Sequence, residues 1–331
     1  MAVLVLGGAG YIGSNAVDSL VEQNFDVVVL DNLCTGYKVA VNKKARFYEG
    51  DIRDKELLQR IFRTEKIDSL MHFAALSLGR ESVDNPLKYF SNNVTGTQVI
   101  LEVMQEFHVK HIVFSSSATV YGNTDKNPVD ENCPTAPINP YGYSKVMMET
   151  IMDWAGKANG MTFVALRCFN VAGAKKDGTL GEVRPRLIPV ILQVAQGSRD
   201  KMIIFGDDYP TSDGTCVRDY IHVTDLVEAH ILALKYLQNG GKSEIFNLGS
   251  AKGYSNLEVI GAARYVTKQF IPIEIKPRAA GDAAILVASN KKIKDILGWE
   301  AKHSSIEEII TDAWKWQNQY PNGYDGIVNK Q

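Results

Sequence analysis

The first apolar segment of the chain leads directly into a glycine-rich turn, and this combination restricts the fold more than any other feature. Residues 3–6 are all apolar, which is typical of a strand buried on both faces of a parallel sheet. Gly7, Gly10 and Gly13 follow at once, and the apolar periodicity predicts a helix from about residue 11 to residue 22. Glycines at this spacing permit a tight turn and let a pyrophosphate approach the backbone N–H groups that open the helix. The segment therefore predicts a strand–turn–helix unit that binds a dinucleotide.

A second apolar strand, predicted over 26–30, ends in Asp31 and Asn32. An acidic residue at this place accepts hydrogen bonds from the ribose hydroxyls of NAD and repels the 2′-phosphate of NADP. The alternative is that Asp31 is a surface residue in a turn with Asn32. Its position after the second strand favours the first interpretation. We therefore predict NAD as the cofactor, held by the glycine turn, by Tyr11 and Ile12 at the start of the helix, and by Asp31 and Asn32.

Tyr141 and Lys145 lie four residues apart in a predicted helix, so their side chains share one face. An unperturbed tyrosine has a pKa of about 10 and is a poor base at neutral pH. A neighbouring ammonium group and a bound pyridinium cation would favour its phenolate form. Such a tyrosine can remove a hydroxyl proton while a nicotinamide accepts the hydride from the same carbon. Taken alone, the spacing also fits the solvated face of an amphipathic helix.

The position of the pair in the chain favours catalysis. A strand predicted over 111–114 leads into Ser117, and Pro140 opens the helix that carries Tyr141 in its first turn. Ligands of open α/β sheets bind outside the carboxyl ends of the strands, so Ser117 and Tyr141 would face one cleft. We predict that Ser117, Tyr141 and Lys145 are catalytic and that the reaction is redox chemistry on an alcohol.

Predicted strands and helices alternate through the first half of the chain, and this alternation indicates an α/β fold with a doubly wound parallel sheet, the Rossmann arrangement. The predicted strands are 2–6, 26–30, 46–49, 69–73, 111–114 and 162–167. The predicted helices are 11–23, 54–63, 83–107 and 141–158. After about residue 170 the pattern loosens. We therefore predict an NAD-binding domain over 1–170 and a smaller mixed α/β substrate domain over 171–331, which returns to the first sheet.

The composition argues against several other classes of protein. Of 331 residues, 45% are hydrophobic and 22% are charged, as in a globular protein with a full core. The net charge of −2, without a basic run, argues against nucleic acid as a partner. The cysteines at 34, 133, 168 and 216 are too widely spaced for a zinc site or a disulfide framework. No apolar run is long enough to span a membrane, and the first strand begins without a signal peptide. We expect a cytoplasmic protein with no metal and no membrane partner.

A set of short motifs together resembles the UDP-glucose 4-epimerase branch of the extended short-chain dehydrogenase/reductase family. The resemblance extends from residue 2 to about residue 324, and the stretch 213–222 is its most specific part. The matching motifs are the glycine turn, Asp31 with Asn32, and the segments 50–53, 72–75, 92–94, 115–122, 140–145, 169–170 and 217–222. The resemblance implies interconversion of UDP-glucose and UDP-galactose in galactose metabolism, through transient oxidation at C4 by bound NAD. It also implies a homodimer.

The resemblance further implies the roles of individual residues. The residues implied to contact NAD are Asp51, Ile52, Phe73, Ala74 and Asn92, besides Tyr141 and Lys145. The residues implied to hold the UDP-sugar, mostly from the segment 171–331, are Asn170, Leu187, Phe205, Arg218 and Asp282, together with Ser117. For Phe73, Leu187 and Phe205 the alternative is a place in the core. Arg218 could instead form an ion pair with its neighbour Asp219.

The chain also departs from the pattern of that family. Ala279 stands where a second arginine would contact a phosphate, Cys168 replaces a tyrosine, and the segment 181–187 is short. Leu286 stands at a position where family members with a bulky tyrosine favour plain hexoses and members with smaller residues have room for an N-acetyl group. Because leucine is intermediate in size, the resemblance implies some activity on UDP-N-acetylglucosamine and its epimer. None of these departures falls on Ser117, Tyr141 or Lys145. The chemistry is therefore expected to be preserved, and the departures bear on affinity and substrate choice.

Two rival interpretations remain open. The first is another NAD-dependent nucleotide-sugar epimerase, or a dehydratase, on the same scaffold. The resemblance implies that dehydratases carry an acid pair just after the strand that bears the serine, and residues 118–120 supply none. The second is a non-catalytic NAD-binding sensor, which would not need the intact set of serine, tyrosine and lysine.

Overall fold

The structure, a computed structural model, describes residues 2–278 and 283–325. Among these residues the chain forms two compact units. The first unit takes its residues from 2–122, 134–168 and 227–246. The second unit takes its residues from 123–133, 169–226 and the described part of the chain after residue 246. What each unit binds stays a prediction at this point.

The described residues form strands and helices that alternate through the first half of the chain. The strands are β1 (Ala2–Leu6), β2 (Asp26–Asp31), β3 (Arg46–Glu49), β4 (Ile67–His72), β5 (His111–Ser117), β6 (Thr162–Cys168), β7 (Asn170–Ala172), β8 (Met202–Phe205), β9 (Val217–His222), β10 (Glu244–Leu248), β11 (Gly253–Ser255), β12 (Ile273–Lys276) and β13 (Ile285–Leu286). The helices are α1 (Tyr11–Glu22), α2 (Lys55–Glu65), α3 (Gly79–Asp84), α4 (Pro86–Tyr89), α5 (Gly96–Glu106), α6 (Pro140–Asn159), α7 (Leu187–Ala195), α8 (Val223–Gln238), α9 (Asn256–Thr267), α10 (Lys291–Leu297) and α11 (Ile306–Gln319). A π-helical segment covers Phe90–Thr95, and short 3₁₀ turns cover Lys38–Ala40 and Ala118–Tyr121.

The large sheet has seven strands in the order β3-β2-β1-β4-β5-β6-β10. The pairs β1–β2, β2–β3, β1–β4, β4–β5 and β5–β6 are all parallel. Every residue of β1 is buried, which explains why its sequence is a continuous apolar run instead of an alternating one. The predicted doubly wound parallel sheet is thus confirmed, and the carboxyl ends of β1, β2, β4, β5 and β6 meet at one edge.

The helix predicted over 83–107 is wrong in its first part. The chain forms α3, breaks at Asn85, and restarts with Pro86 at the first position of α4. The break has a steric cause, because the proline ring disfavours helical backbone at the residue before it. Beyond Pro86 the helix continues through the π-helical segment into α5. A π-helical segment carries an extra residue per turn and is frequent at functional sites.

The second unit contains two small sheets. In the first, β9 pairs with β11 antiparallel and with β13 and β7 parallel. In the second, β8 pairs with β12 in parallel. A separate apolar core lies among α7, α9 and α11, with fully buried members such as Ile191, Ile260 and Ile310. Among the described residues, no helix is both long enough and apolar enough to cross a membrane.

Candidate active site

The glycine turn after β1 has three glycines that serve different purposes. Gly7 has φ +78°, and a Cβ there would lie 2.6 Å from the backbone nitrogen of Ala74. A Cβ on Gly13 would overlap the Gly7 carbonyl oxygen. Gly10 differs, because its φ of −77° suits any residue and a Cβ there would meet only the Gly7 oxygen, at 3.4 Å. The packing of the chain itself thus demands glycine at 7 and 13, and leaves open space in front of Gly10.

The start of α1 has the properties of an anion site. Gly10 is its N-cap and offers no side chain to the first N–H groups, and the first turn, which begins with Tyr11 and Ile12, has no acidic residue. The positive end of the helix dipole therefore faces the space in front of Gly10. These residues fit the pyrophosphate of a dinucleotide.

Asp31 supports the glycine turn. Its carboxylate, at the end of β2, accepts hydrogen bonds from the backbone N–H groups of Ala9, at 2.9 Å, and Leu33, at 2.8 Å. The side chain therefore has a structural part that its sequence position alone did not indicate. Its predicted contact with a ribose would use the remaining lone pairs of the same oxygens.

Asp51 lies beside this strand end. It accepts a hydrogen bond from the amide of Asn32, at 3.0 Å, and both of its oxygens are bound by the guanidinium of Arg53. The hydrogen bond from Arg53 holds the pKa of Asp51 well below its usual value. Ile52 has its side chain in the core, against Gly96, so a contact with adenine would involve its main chain. The contacts that the resemblance implies for Asp51 and Ile52 with NAD, at its adenine, stay predictions.

Two predicted cofactor residues, Phe73 and Ala74, follow β4. The N–H of Phe73 donates to the carbonyl of Leu6, at 2.8 Å, and this contact seats Ala74 against Gly7. The centroid of the Phe73 ring lies 5.0 Å from that of the His230 ring, and the Phe73 side chain is partly buried. Both residues thus border the glycine turn, as the prediction requires.

Asn92 and Asn93 lie in the π-helical segment. Asn92 is partly exposed and donates to the Asn93 side chain at 2.9 Å. Asn93 is fully buried, and its amide exchanges hydrogen bonds with the N–H and the carbonyl of Leu76 and donates to Ser144 Oγ. The predicted site residue, Asn92, therefore lies next to a buried residue that ties the loop after β4 to α6.

Ser117 is the last residue of β5, at the carboxyl edge of the large sheet. Its Oγ accepts hydrogen bonds from the backbone N–H of Thr119, at 3.3 Å, and from Thr119 Oγ1, at 2.9 Å. Since both contacts use Ser117 Oγ as the acceptor, the hydroxyl keeps its own proton to donate. The sequence patterns did not indicate this contact between Thr119 and Ser117.

The first turn of α6 is packed directly onto the turn that follows Ser117. Asn139 caps the helix by accepting from the N–H of Gly142, at 2.9 Å. A Cβ on Gly142 would lie 2.7 Å from the carbonyl oxygen of Thr119, so only glycine permits this approach. Tyr141, the residue before, is 9% exposed. The structure therefore brings the helix end that carries Tyr141 to the strand end that carries Ser117.

Lys145 lies one helical turn after Tyr141 and is 3% exposed. Its Nζ donates to the carbonyl of Ser115 at 2.7 Å, and lies 4.5 Å from the ring centroid of Phe114 and 5.9 Å from that of Tyr141. Burial lowers the pKa of Lys145 to about 8, although the carboxylate of Glu149 opposes the shift. The predicted sharing of one helix face by Tyr141 and Lys145 is thus observed, with the ammonium near the phenol ring.

A buried ion pair lies behind Lys145. Arg167 on β6 binds both oxygens of Glu149 on α6, at 3.1 and 2.7 Å, and Ser116 Oγ donates to the same carboxylate at 2.6 Å. Arg167 also donates to the hydroxyl of Tyr121 at 2.9 Å. Burial works against the charge of Arg167, but the pair with Glu149 outweighs it and leaves the pKa of Arg167 raised. This network joins α6 to β5 and β6 next to the strand residue, Ser115, that binds Lys145.

Cys168, the departure from the family pattern at the end of β6, is buried. Its Sγ donates to the carbonyl of Leu166 at 3.3 Å and lies 3.6 Å from Ser115 Oγ. Burial raises the pKa of the Cys168 thiol to about 11, so the thiol is protonated at neutral pH. Cysteine here fills space beside β5 and adds no charge near Lys145.

In the second unit, Arg218 lies near the centre of the small sheet. On β9 it is paired in register with Tyr254 of β11 on one side and with Leu286 of β13 on the other. Its guanidinium donates to its neighbour's carbonyl, that of Val217, at 2.9 Å. Asp219 is turned elsewhere, accepting hydrogen bonds from Ser250, Ala251 and Ala288. The alternative of a pair between Arg218 and Asp219 therefore finds no support among these contacts.

The other predicted substrate residues have different surroundings. Asn170 is exposed at the start of β7 and is paired in register with Tyr220. Leu187 opens α7 and is only partly buried against the second core. Phe205 ends β8 and is 38% exposed, so it is not a core residue. Asp282 and Ala279 lie outside the described residues.

The short segment 181–187 is organised around Glu182. This carboxyl is buried, accepts from the N–H of Arg184 at 2.9 Å, and lies 3.5 Å from Nε of Arg186. Burial raises the pKa of Glu182, although the two arginines oppose the shift. A Cβ on Gly181 would overlap the ring of Trp316, so the start of the segment is fixed against α11.

Comparison with known proteins agrees with this geometry. Residues 3–249 match the model of the NAD dependent epimerase/dehydratase family. A UDP-glucose 4-epimerase from Lacticaseibacillus casei is 55% identical over 327 residues, which are 98% of this chain and 99% of that protein. A crystal structure of a UDP-glucose 4-epimerase superposes with a TM-score of 0.96 at 49% identity, covering 98% of this chain and 99% of the other. The structure of UDP-glucose 4-epimerase from Bifidobacterium longum, in complex with NAD+ and UDP, superposes with a TM-score of 0.92 at 40% identity, covering 98% of this chain and all of the other.

The chain belongs to the NAD dependent epimerase/dehydratase family and, within that family, to the UDP-glucose 4-epimerases. The resemblance stated from its motifs is therefore confirmed. NAD is the cofactor of the family. The glycine turn, the start of α1 without a side-chain cap, and Asp31 fit this cofactor.

Proposed function

We propose that the chain interconverts UDP-glucose and UDP-galactose by transient oxidation at C4 of the sugar, with Tyr141 as the general base. The observation that carries the proposal is the buried pair of Tyr141 and Lys145, packed beside the strand end that carries Ser117. Bound NAD supplies a reversible hydride acceptor for C4, so the sugar can be reduced again from its other face. No net oxidation results, and the enzyme is an isomerase.

Tyr141 and Ser117 divide the handling of the proton. The phenolate oxygen of Tyr141 removes the proton of the 4-hydroxyl and returns it after the sugar has turned. Ser117 donates its hydroxyl proton to the oxygen on C4, because Thr119 already supplies donors to Ser117 Oγ. Thr119 thereby sets the direction in which the Ser117 proton points.

Lys145 supplies the charge that makes this tyrosine a base. Its ammonium lies within 6 Å of the Tyr141 ring in a nearly dry environment, where the attraction for a phenolate is far stronger than in water. The carbonyl of Ser115 accepts a hydrogen bond from the same ammonium and holds it in place. Lys145 also has donors left for the nicotinamide ribose, since an ammonium carries three.

The second unit holds the UDP part of the substrate in this proposal. Arg218 contacts the diphosphate, for which a guanidinium is suited by its planar, bidentate geometry. Asn170, Leu187, Phe205 and Asp282 complete the site. Phe205 supports this role because an aromatic ring that ends a strand with a large exposed fraction is available to a nucleotide base.

A second substrate class, the N-acetylated UDP-sugars, has one observation in its favour. Leu286 is in register with Arg218, so the residue implied to control sugar size lies beside the residue proposed to bind diphosphate. A leucine side chain is smaller than tyrosine and leaves room for an acetamido group. We therefore expect measurable epimerisation of UDP-N-acetylglucosamine in addition to UDP-glucose.

A homodimer in the cytoplasm completes the proposal. α3 and α4 both pack against α6, and these helices expose large apolar side chains, among them Val83, Leu87, Met147 and Trp154. Leu87 alone is 79% exposed, and such surfaces are typical of protein interfaces. Met148, the next residue of α6 after Met147, is fully buried and belongs to the core of its own chain.

The test of the proposal is Tyr141→Phe, with Tyr143→Phe as the matched control. Tyr143 lies on the same helix two residues away and is 53% exposed, so its phenol faces away from the site. Conversion of UDP-galactose should fall by about 10²–10⁴-fold in Tyr141→Phe and stay near the wild-type rate in Tyr143→Phe. Near-normal turnover by Tyr141→Phe would show that the general base is another group.

The cofactor assignment is tested separately. Denaturing the purified protein should release NAD, because the carboxylate of Asp31 repels the 2′-phosphate of NADP. Asp31→Ala serves as the comparison, and its preference for NAD over NADP should weaken. Recovery of NADP from the wild-type protein would contradict the assignment.

A further inference from the structure

The main chain of Tyr141 is held on both sides by buried serines. Its N–H donates to Ser82 Oγ at 3.1 Å, and its carbonyl accepts from Ser144 Oγ at 2.7 Å. Both serines are fully buried. Ser82 lies on α3, which precedes Tyr141 by 59 residues, so this contact is a tertiary one.

The contact from Ser82 compensates for a weakness of helix starts. The N–H of Tyr141 belongs to the first turn of α6 and has no partner within the helix. The capping residue, Asn139, accepts from Gly142. Ser82 therefore acts as a second cap from a different helix, and its own proton is donated to the carbonyl of Gly79 at 2.6 Å.

The contact from Ser144 continues into the rest of the unit. Ser144 Oγ accepts from the amide of Asn93 at 2.9 Å while it donates to Tyr141. Asn93 is in turn bound to both the N–H and the carbonyl of Leu76. The first turn of α6 is thus tied to the π-helical segment and to the loop after β4, through side chains that no water reaches.

We propose that Ser82 and Ser144 are positioning residues for the catalytic tyrosine. They fix the Tyr141 main chain, and with it the distance from the phenol to Lys145 and to the oxygen on C4. The inference rests on the assignment of Tyr141 as general base. Small displacements matter here, because a shift of about 1 Å at a reacting group can reduce a rate about a hundredfold.

The competing explanation is that the two serines only satisfy buried polar groups and so add stability. The two explanations differ in the expected pH dependence. A phenol that moves away from Lys145 loses the charge that favours its phenolate. The rising limb of the pH–kcat profile should then move to higher pH. A loss of stability alone lowers the amount of folded enzyme, and rates divided by the concentration of sites that hold NAD then keep the wild-type pH profile.

The experiment compares Ser82→Ala and Ser144→Ala with Ser69→Ala. Ser69 is a fully buried serine of the same unit, on β4, which donates to Asp68 and accepts from Gln238 far from the catalytic turn. We expect kcat at neutral pH to fall about ten- to a hundredfold in Ser82→Ala and Ser144→Ala. We expect KM for UDP-galactose to change less than about twofold, because the residues proposed to bind UDP are untouched. Ser69→Ala should match the wild type in kcat and in the pH profile.

All rates are divided by the concentration of sites that hold NAD, measured on the same samples. Should Ser82→Ala give no folded protein, Ser82→Cys keeps a sulfur acceptor for the Tyr141 N–H, and its rising limb should move in the same direction by a smaller amount. Profiles that match the wild type after this normalisation would overturn the inference. Tyr141→Phe belongs in the same series. If Tyr141→Phe keeps its activity, the assignment of Tyr141 as the base is wrong. If Tyr141→Phe is inactive but the serine variants have wild-type pH profiles, the base assignment stands and only the positioning role of the serines is wrong.

Discussion

Arg167→Met is predicted to destabilise the first unit strongly, because it breaks the buried ion pair between β6 and α6. The side chains of Arg167 and Glu149 are each only 6% exposed. After the substitution the Glu149 carboxylate stays buried and keeps the hydrogen bond from Ser116 as its remaining contact within the network. Removing one partner of a buried pair typically costs about 3–5 kcal/mol, since the charge that remains has lost both water and its counter-ion.

The double variant Glu149→Leu with Arg167→Met should be more stable than Arg167→Met alone. Replacing both charges with apolar groups removes the uncompensated charge, and such replacements are often neutral or stabilising. The remaining cost comes from Ser116 and Tyr121, which lose the partners they have in the network, at about 1 kcal/mol for each hydrogen bond. We therefore expect the double variant to lose about 2 kcal/mol.

Hydrogen exchange followed by mass spectrometry is the suitable assay. It reports the free energy of opening for individual peptides, and does not require the two units to unfold in one step. The informative peptides are those of β5, β6 and α6. Lys157→Met is the control, because it breaks an exposed pair with Asp153 on the same helix, and such pairs contribute only about 0.3–0.5 kcal/mol. The reasoning is refuted if Arg167→Met costs no more than Lys157→Met, or if the double variant is less stable than the single one.

Three further predictions concern the cofactor turn, the buried lysine and the sugar site. Gly10→Ala should fold like the wild type but lose most of its bound NAD. Gly13→Ala should fail to fold, because of these two positions only Gly13 would place a Cβ onto the backbone of the turn. Equal NAD content and equal melting temperature in the two variants would contradict this prediction. Burial lowers the pKa of Lys145 from 10.5 to about 8, so in this pH range the folded protein binds fewer protons than the unfolded chain and gains stability as the pH rises. Lys145→Met lacks this gain. Between pH 8 and pH 10.5, its free energy of unfolding in urea should therefore fall relative to that of the wild type by up to ~3 kcal/mol. If the difference between the two proteins is the same at both pH values, the charged form of the lysine is not destabilised by burial. Leu286→Tyr should reduce turnover of UDP-N-acetylglucosamine and leave that of UDP-galactose near wild type, measured as the ratio of the two rates, and an unchanged ratio would place the control of sugar size elsewhere.

The sequence predicted the large sheet well because its strands carry a strong signal. Buried parallel strands must be apolar on both faces, so β1 and β2 stand out as continuous apolar runs. The same pattern is ambiguous within helices, where the apolar positions of 83–107 run through the break at Asn85. Pro86 was the available signal for that break. The π-helical segment has no comparable signature, because its extra residue per turn leaves the composition unchanged.

The candidate site was predictable where chemistry requires a specific side chain in a local pattern. Tyr141 and Lys145 share a helix face by spacing alone, and Ser117 follows from the end of its strand. Ser82 could not be predicted, because its partner is 59 residues away and the contact is with main chain, which leaves no pattern in the residue types. Asp31 was predicted only to contact a ribose, and the structure adds its hydrogen bonds to the backbone of Ala9 and Leu33, since a sequence does not show which backbone groups will face a carboxylate.

The first unit is assembled from three separate stretches of chain, and this limits how the protein can be cut. A fragment that ends at residue 170 would contain β1 to β6 but would lack β10, which flanks β6 in the seven-stranded sheet. β6 would become an edge strand with buried, apolar residues such as Val164 and Leu166, and unprotected edges of this kind pair between molecules. During synthesis, residues 169–226 leave the ribosome before the sheet can receive its last strand. In the nascent chain, β6 therefore remains an unpaired edge strand while a large part of the second unit is being synthesised.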